Sequence, residues 1–537
     1  MRRVREKRTK LQKRTRVVAL VLAAVSVLLG VRIYALGRDE EIVSAARSQS
    51  TRRVVISQNR GTIFDCNLQR LTNAETGYKL VVTKNFGQVK SILQKIVPDD
   101  RDYALEMAAK GKIFSVRLTG PLNFSGGYTV RYQKPVGEGQ LAPHIIGYTD
   151  ESGGVVGLQK ALNSQLEELG GERSLSFGVD ATGSPLLSGE ITGESDPDLN
   201  RGPVLTLDSR VQSLCEEVGG RSIESGAIVV LDSASGEIRG CASFPAYNPA
   251  NVAASLNAPH SPLVNKAFEA YAVGSTFKLV TASAAVESGI SPDTRFTCEG
   301  QVTVGDTVYR CHKLQGHGEL DMAGAIEKSC NCYFVQLSQQ MGDEFLLSLA
   351  KDMGFGKKTV FCDGLSAAAG NLPTAQQLLQ GDMENFSFGQ GKLLATPVQL
   401  AAMVNVFAQN GVYRQPTLLR GTYQDGQLRA EAPSAARQVI SEKTAAAVKE
   451  AMLQVTEEGG TGTRAKVEGL SIAGKTATAQ TGVFVDGEEQ LNAYFSSFFP
   501  AENPRYTVVV FCENGGEGSF VAAPIFKELA EGLMALQ

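Results

Sequence analysis

The sequence predicts an α+β protein with three parts: an N-terminal transmembrane helix, a mixed domain, and a larger C-terminal domain in which one mixed sheet packs with a helical cluster. Three observations carry this. A charge-free apolar run follows a dense basic block at the start of the chain. Short strand patterns between polar, glycine-rich loops occupy the region up to about residue 200. Beyond that, strand patterns lie at both ends of a long helical middle, as expected when terminal strands close one sheet over the helices between them.

With 537 residues the chain is too long for one core. Residues 1–16, "MRRVREKRTKLQKRTR", hold nine Lys/Arg and one Glu, which leaves 44 basic against 55 acidic residues in the remainder. A remainder near −11 argues against nucleic acid as the main partner, so the basic block has a local purpose. Its neighbour supplies one. "VVALVLAAVSVLLGV" continues through "RIYALG" to Gly37, and residues 17–37 as a helix span about 31 Å, enough for a hydrocarbon core. Arg32 and Tyr34 suit the far interface, and the basic flank stays cytoplasmic, which puts everything after residue 37 outside. A cleaved signal peptide is the alternative, but no good small-x-small site follows the apolar run.

From residue 38 to 200, "YKLVVTK" and "YTVRYQKP" read as strands, and "VVGLQKALNSQLEELGG" as one amphipathic helix stopped by Gly-Gly. The polar stretch 188–202 marks the boundary to a second domain, 201–537. There "GAIVVLDSASGEIRGCAS" is a hairpin, 262–460 is mostly helical, and "LSIAGKTATAQ", "AYFSSFFP" and "RYTVVVFCE" are strands before the closing helix "APIFKELAEGLMAL". Nine cysteines are scattered without a CxxC, "CNC" at 330–332 is too tight for an ordinary site, and four histidines give no HxxxH. That spacing argues against zinc, and no cofactor or metal is expected. Cys298 and Cys311 flank a short hairpin and are placed to pair in an oxidising compartment.

The chemistry centres on "YAVGSTFKLV", 271–280. Ser275 and Lys278 are one helical turn apart, so the amine can approach the hydroxyl. A hydroxyl needs a base to become a nucleophile, and burial among Phe277, Leu279 and Val280 disfavours the ammonium, making Lys278 such a base. A helix opening at Ser275 adds partial positive charge for an oxyanion. Ser-x-x-Lys is a cheap pattern, and "SLAK" at 348–351 repeats it inside a helical stretch without a glycine entry. Ser329 and Asn331 in "SCN", at a turn into a helix, offer a proton relay and an amide grip. "SQN" at 57–59 and "SLN" at 255–257 share their spacing. Lys475 and Thr476 in "GKTAT", on a strand, can hold a carboxylate while strand N–H groups face a carbonyl. "EKTAA" at 442–446 lies in a helix instead. Singly each motif reads as structural; the ordered trio with helix, turn and strand contexts is specific.

That trio resembles the class B penicillin-binding proteins, membrane-anchored D,D-transpeptidases. The resemblance spans nearly the whole chain. "NRGTIFDCNLQRLT" (59–72) and "PHIIGYTDESGGVVGLQKALN" (143–163) look like the family's pedestal segments. "VVLDSASGEIRGCASFPAYNP", "NKAFEAYAVGSTFK", "FSFGQGKLLATPVQLA" and "AENPRYTVVV" look like stations of its transpeptidase domain. It implies an elongated non-catalytic pedestal over 38–200. It also implies that Ser275 is acylated, that Lys278 is the general base, and that Ser329 and Asn331 shuttle protons and orient the peptide. Lys475 and Thr476 would bind the terminal carboxylate of a D-Ala-D-Ala stem peptide, with N–H groups of Ser275 and Thr478 as the oxyanion hole and Gln390–Lys392 beside the cleft. β-Lactams would acylate the same serine, and a membrane glycosyltransferase is the implied partner. Ala477 stands where the motif has glycine, and the prolines usual before Gly274 are replaced by Ala272 and Val273. The rival readings are a D,D-carboxypeptidase, with water replacing the amine, and a degenerate scaffold without activity.

Overall fold

The computed structural model describes residues 2–42, 50–137, 139–150, 152–186, 190–378 and 382–536. The side chains of residues 1–7, with the first basic positions, and residues 188–189 of the boundary stretch lie outside the described residues. Helix α1 (Arg2–Leu36) runs without a break through the basic block and the apolar run. Its Arg8–Leu36 portion is long and apolar enough to cross a membrane, and every side chain described in it is exposed. At its end the Arg38 guanidinium lies 4.9 Å from the Tyr34 ring centroid.

The chain divides into two compact units. The first comprises 1–59, 76–134 and 171–197; the second comprises 60–75, 135–170 and 198–537. Residues 60–75 and 135–170 therefore precede residue 200 in sequence yet pack with the second unit. The first unit holds two three-stranded antiparallel sheets. One has Gly171–Gly178 between Thr51–Asn59 and Ile191–Ser195; the other has Thr76–Val82 between Phe114–Leu118 and Gly127–Gln133. The strand Thr76–Val82 shows why alternation matters. Leu80 and Val82 pack with Phe114, Val116 and the helix residue Ala104, whereas Val81 turns to Ile56, Leu175 and Phe177 of the other sheet.

The second unit is built on a five-stranded sheet: β1 (Gly226–Asp232), β2 (Ile238–Phe244), β3 (Ala473–Val485), β4 (Glu488–Phe499) and β5 (Tyr506–Cys512), in the order β2-β1-β5-β4-β3. The predicted mixed sheet is in fact antiparallel at every pairing. Strands β1–β2, β3–β4 and β4–β5 are successive in the chain, and β5 returns beside β1 in the antiparallel sense. The strands are apolar on both faces because helices cover both. Ile228, Val230, Val508 and Val510 pack under α2 (Ser209–Ser222) and the C-terminal helix, while Ala227, Val229, Val509 and Phe511 join the core of the helical cluster. That cluster includes α3 (Lys278–Glu287), α4 (Asn331–Ser338), α5 (Pro397–Ala408) and α6 (Glu442–Gln454), and the C-terminal helix is α7 (Ala522–Ala535).

Helix α5 is buried along its whole length. It starts at a Thr396–Gln399 capping box with Pro397 in its first turn. The single helix expected over 155–169 is two, Gly157–Ala161 and Asn163–Glu168. Asn163 explains the break. Its Oδ1 accepts from Gly154 N (2.8 Å) and Arg60 Nη2 (2.9 Å), pinning the start of the second piece to another segment.

Candidate active site

Each of the three motifs sits in the element expected of it. A 3₁₀ turn over Gly274–Phe277 leads into α3, so Ser275 lies on the turn and Lys278 is the first residue of the α-helix. Gly274 has φ 64°, and a Cβ there would stand 2.9 Å from Ala479 Cβ and 3.1 Å from Thr478 O. Both facts demand glycine, and both follow from the turn lying directly against β3. Gly274 N donates to Gly389 O at 2.9 Å, which ties the turn to the "GQGK" loop.

Ser329 links the short helix Met322–Glu327 to α4 with φ 52°, a left-handed conformation rare for serine. This strained joint turns both its carbonyl and its hydroxyl toward Lys278. Lys278 Nζ donates to Asn331 Oδ1 (2.6 Å), Ser329 O (2.7 Å) and, more loosely, Ser329 Oγ (3.3 Å). Lys475 Nζ donates to the same Ser329 Oγ at 2.9 Å and to Thr476 O at 2.8 Å. Both lysines are fully buried. Burial pushes Lys278 down to about 8 and outweighs the raising influence of Cys330, Cys311 and Cys332. Lys475 is pushed well below the usual lysine range by burial and then by the neighbouring Lys278.

A cavity of about 320 Å³ is lined by Ser275, Ser329, Asn331, Thr476, Ala477 and Thr478, and by Gln390 of the predicted loop. The two lysines stand behind this lining, bonded to Ser329. The direct approach of the lysine to Ser275 is not the contact formed. The Lys278 amine is spent on Ser329 and Asn331, and the Ser275 hydroxyl takes no hydrogen bond among the described residues. Thr476 Oγ1 meets Thr461 Oγ1 at 2.7 Å, and Thr478 Oγ1 accepts from Gly518 N at 3.2 Å. Strand β3 is the last of its sheet, so among the described residues its outer edge carries no further strand of that sheet. Ala477 is 2% exposed and joins the core, on the same strand face as Ala479.

The repeats of the motifs lie elsewhere. "SLAK" is inside the helix Asp343–Asp352, "EKTAA" is in α6 with Ser441 as its cap, and "SQN" ends a strand of the first unit. Sequence reasoning missed Thr461, His312, Glu517 and Ser519, which also line the cavity. None belongs to a motif, and nothing in their local sequence points to the site.

Cysteine spacing alone argues against a metal centre, yet the fold gathers four side chains of ligand type. Cys298, Cys311, His317 and Cys330 bring their ligand atoms within 4.8 Å of one another. Spacing rules overlooked this because the four are gathered by a hairpin and a helix start rather than by one local loop. Cys298 and Cys311 are both free thiols.

The model of the penicillin-binding protein transpeptidase domain matches residues 226–531. The chain belongs to that family. This penicillin-binding protein is 28% identical to Stage V sporulation protein D of Bacillus subtilis, over 94% of this chain and 82% of the relative. It is 27% identical to the peptidoglycan D,D-transpeptidase FtsI of Escherichia coli, over 74% and 66%. Among solved structures, the D,D-transpeptidase domain of a peptidoglycan glycosyltransferase from Eggerthella lenta superimposes with a TM-score of 0.65 at 26% identity, covering 90% of this chain and 99% of that one. With these relatives it falls in class B, and its N-terminal apolar helix fits membrane anchoring.

Proposed function

We propose that this chain is a peptidoglycan D,D-transpeptidase working through an acyl-enzyme at Ser275. The observation that carries this is the pair of buried lysines converging on Ser329 behind a cavity that Ser275 lines. With one proton lost, the Lys278 amine keeps two N–H groups for its short bonds to Asn331 Oδ1 and Ser329 O. Its lone pair is then available to the serine hydroxyl.

Ser275 Oγ gives its proton to Lys278 Nζ as it attacks the carbonyl carbon of the penultimate D-alanine. N–H groups of Ser275 and of Thr478, on the unpaired edge of β3, hold the oxyanion. The C–N bond breaks, and D-alanine leaves with a proton passed through the Ser329 hydroxyl. Lys475 as ammonium, with Thr476, binds the stem-peptide carboxylate, whose charge favours the protonated lysine. An amine from a neighbouring stem then attacks the ester, its proton returning through the same groups, and Ser275 is released. β-Lactams follow the first half of this path.

Residues 17–37 anchor the chain with the basic tail 1–16 cytoplasmic, so the site works outside the membrane. We assign the pedestal of 38–200 chiefly to the first unit and the transpeptidase domain of 201–537 to the second. Crosslinking consumes polymerised strands, so a membrane glycosyltransferase is the partner class this reading calls for. The test is labelled penicillin on the full chain in detergent. One adduct on Ser275, lost in Ser275→Ala, is expected; no adduct with any β-lactam or D-Ala-D-Ala thioester mimic would favour a scaffold. Added amine acceptor should divert acyl-enzyme into crosslinked product; hydrolysis alone would make the protein a carboxypeptidase.

A further inference from the structure

We propose that Cys298, Cys311, His317 and Cys330 form a structural zinc centre that fastens the Ser329–Asn331 turn to the hairpin beside it. Three thiolates and one imidazole are a closed structural zinc set, and soft sulfur donors select zinc over hard cations.

Three of the six edges match a tetrahedral set, and all six lie within 4.8 Å. Zn–S bonds of about 2.3 Å and a Zn–N bond of about 2.0–2.1 Å at tetrahedral angles set S···S edges of about 3.8 Å and S···N edges of about 3.6 Å. His317 Nδ1 lies 3.6 Å from Cys298 Sγ and 3.5 Å from Cys311 Sγ, and Cys311 Sγ lies 3.9 Å from Cys330 Sγ. A disulfide would need about 2.05 Å between sulfurs. The three cysteines are buried, at 2%, 2% and 0% exposure.

The surrounding backbone is shaped to hold this arrangement. Cys298 ends the strand Phe296–Cys298, which pairs with Gly318–Leu320, and Cys311 N donates to Gly300 O at 2.8 Å after the hairpin Gln301–Arg310. Gly300 (φ 92°) and Gly316 (φ 83°) permit the approach of the two loops; a Cβ would lie 2.0 Å from Leu314 O at the first and 2.3 Å from Cys298 O at the second. Neither contact admits a side chain. A fifth thiol, Cys332, is buried beside Cys298 and Cys311 but falls outside the four-atom set.

The centre's purpose lies in its position. Cys330 is the middle residue of Ser-x-Asn, between the residue with φ 52° and the amide that holds Lys278. A bond from its sulfur to a metal shared with the hairpin would keep that strained turn in place, as Asn331 Nδ2 already does through Arg310 O at 3.2 Å. Loading releases the thiol protons to solvent and involves no redox step.

The test is metal analysis of the full chain, purified in detergent without chelator, together with cobalt(II) exchange. The expected result is about one zinc per chain, and tetrahedral thiolate bands from the cobalt form. Cys298→Ser and His317→Ala should lower metal content at least tenfold, while Cys332→Ser keeps it. If those variants fail to fold, wild-type chain stripped with a thiol-directed mercurial and chelator, then given zinc or magnesium, decides. Recovery of the thermal midpoint with zinc alone supports the site. A chain that takes up no zinc, unchanged zinc in the variants, or a Cys311–Cys330 disulfide in the isolated protein overturns it. A tenfold or greater loss of penicillin acylation in the stripped chain is also expected. That readout alone rests on the proposed function, so loss of the enzymatic reading would leave the zinc stoichiometry to be judged separately.

Discussion

Lys278 allows the proposed base to be tested by pH alone. Burial holds its amine near 8 rather than the usual lysine value, so the reactive neutral form rises from about 9% at pH 7 to about 91% at pH 9. Acylation at saturating penicillin should therefore climb about tenfold between those pH values and level off above pH 9. An ordinary lysine would still rise at unit slope through pH 9. Saturation matters because the ligand carboxylate beside Lys475 favours the ammonium there and keeps the second buried lysine out of the profile. Lys278→Met should lower the plateau by about 10²–10⁴-fold, the span of a general base. Rapid-quench acylation with a fluorescent penicillin measures both. A profile flat from pH 6 to 9, or a Lys278→Met protein acylating at the wild-type rate, would refute the assignment of this amine as the base.

Two further outcomes follow from single positions. Gly274→Ala places a side chain against Ala479 and Thr478 at φ 64°, costing about 1–2 kcal/mol in backbone alone; displacing Ser275 should cut acylation about 10²-fold in the same assay. His144 is buried with Nε2 2.6 Å from Pro262 O, and burial holds it at about 4. Between pH 6.5 and 4 the unfolded chain binds a proton that the folded chain refuses, so stability falls as pH drops through that window, by roughly 3 kcal/mol. His144→Gln should flatten this part of the thermal-midpoint profile, and an unchanged slope would mean His144 is not its source.

Sequence exposed the parts of the site that are local. Ser275 and Lys278 are readable because a turn of helix relates them, and β3 is readable because "GKTATAQ" alternates. The convergence of Lys278 and Lys475 on one Ser329 hydroxyl joins residues 51 and 146 positions apart, and no periodicity encodes such distances. The same holds for Thr461 beside Thr476 and for His317 among the cysteines. The antiparallel sense of the sheet depends on β5 inserting between β1 and β4, which the order of strands along the chain leaves open.

The two-unit division also bears on how such a protein is inherited and cut. Ile63 and Leu71 from 60–75, and Ile145, Ile146, Leu158 and Leu166 from 135–170, are members of the same core as Phe277, Val398 and Tyr494. The catalytic body is thus stitched from three stretches of gene, with the other unit threaded through the gaps. A recombination or protease cut near residue 200 would deliver an enzyme missing several of its own core side chains, so residues 60–537 have to travel as one piece.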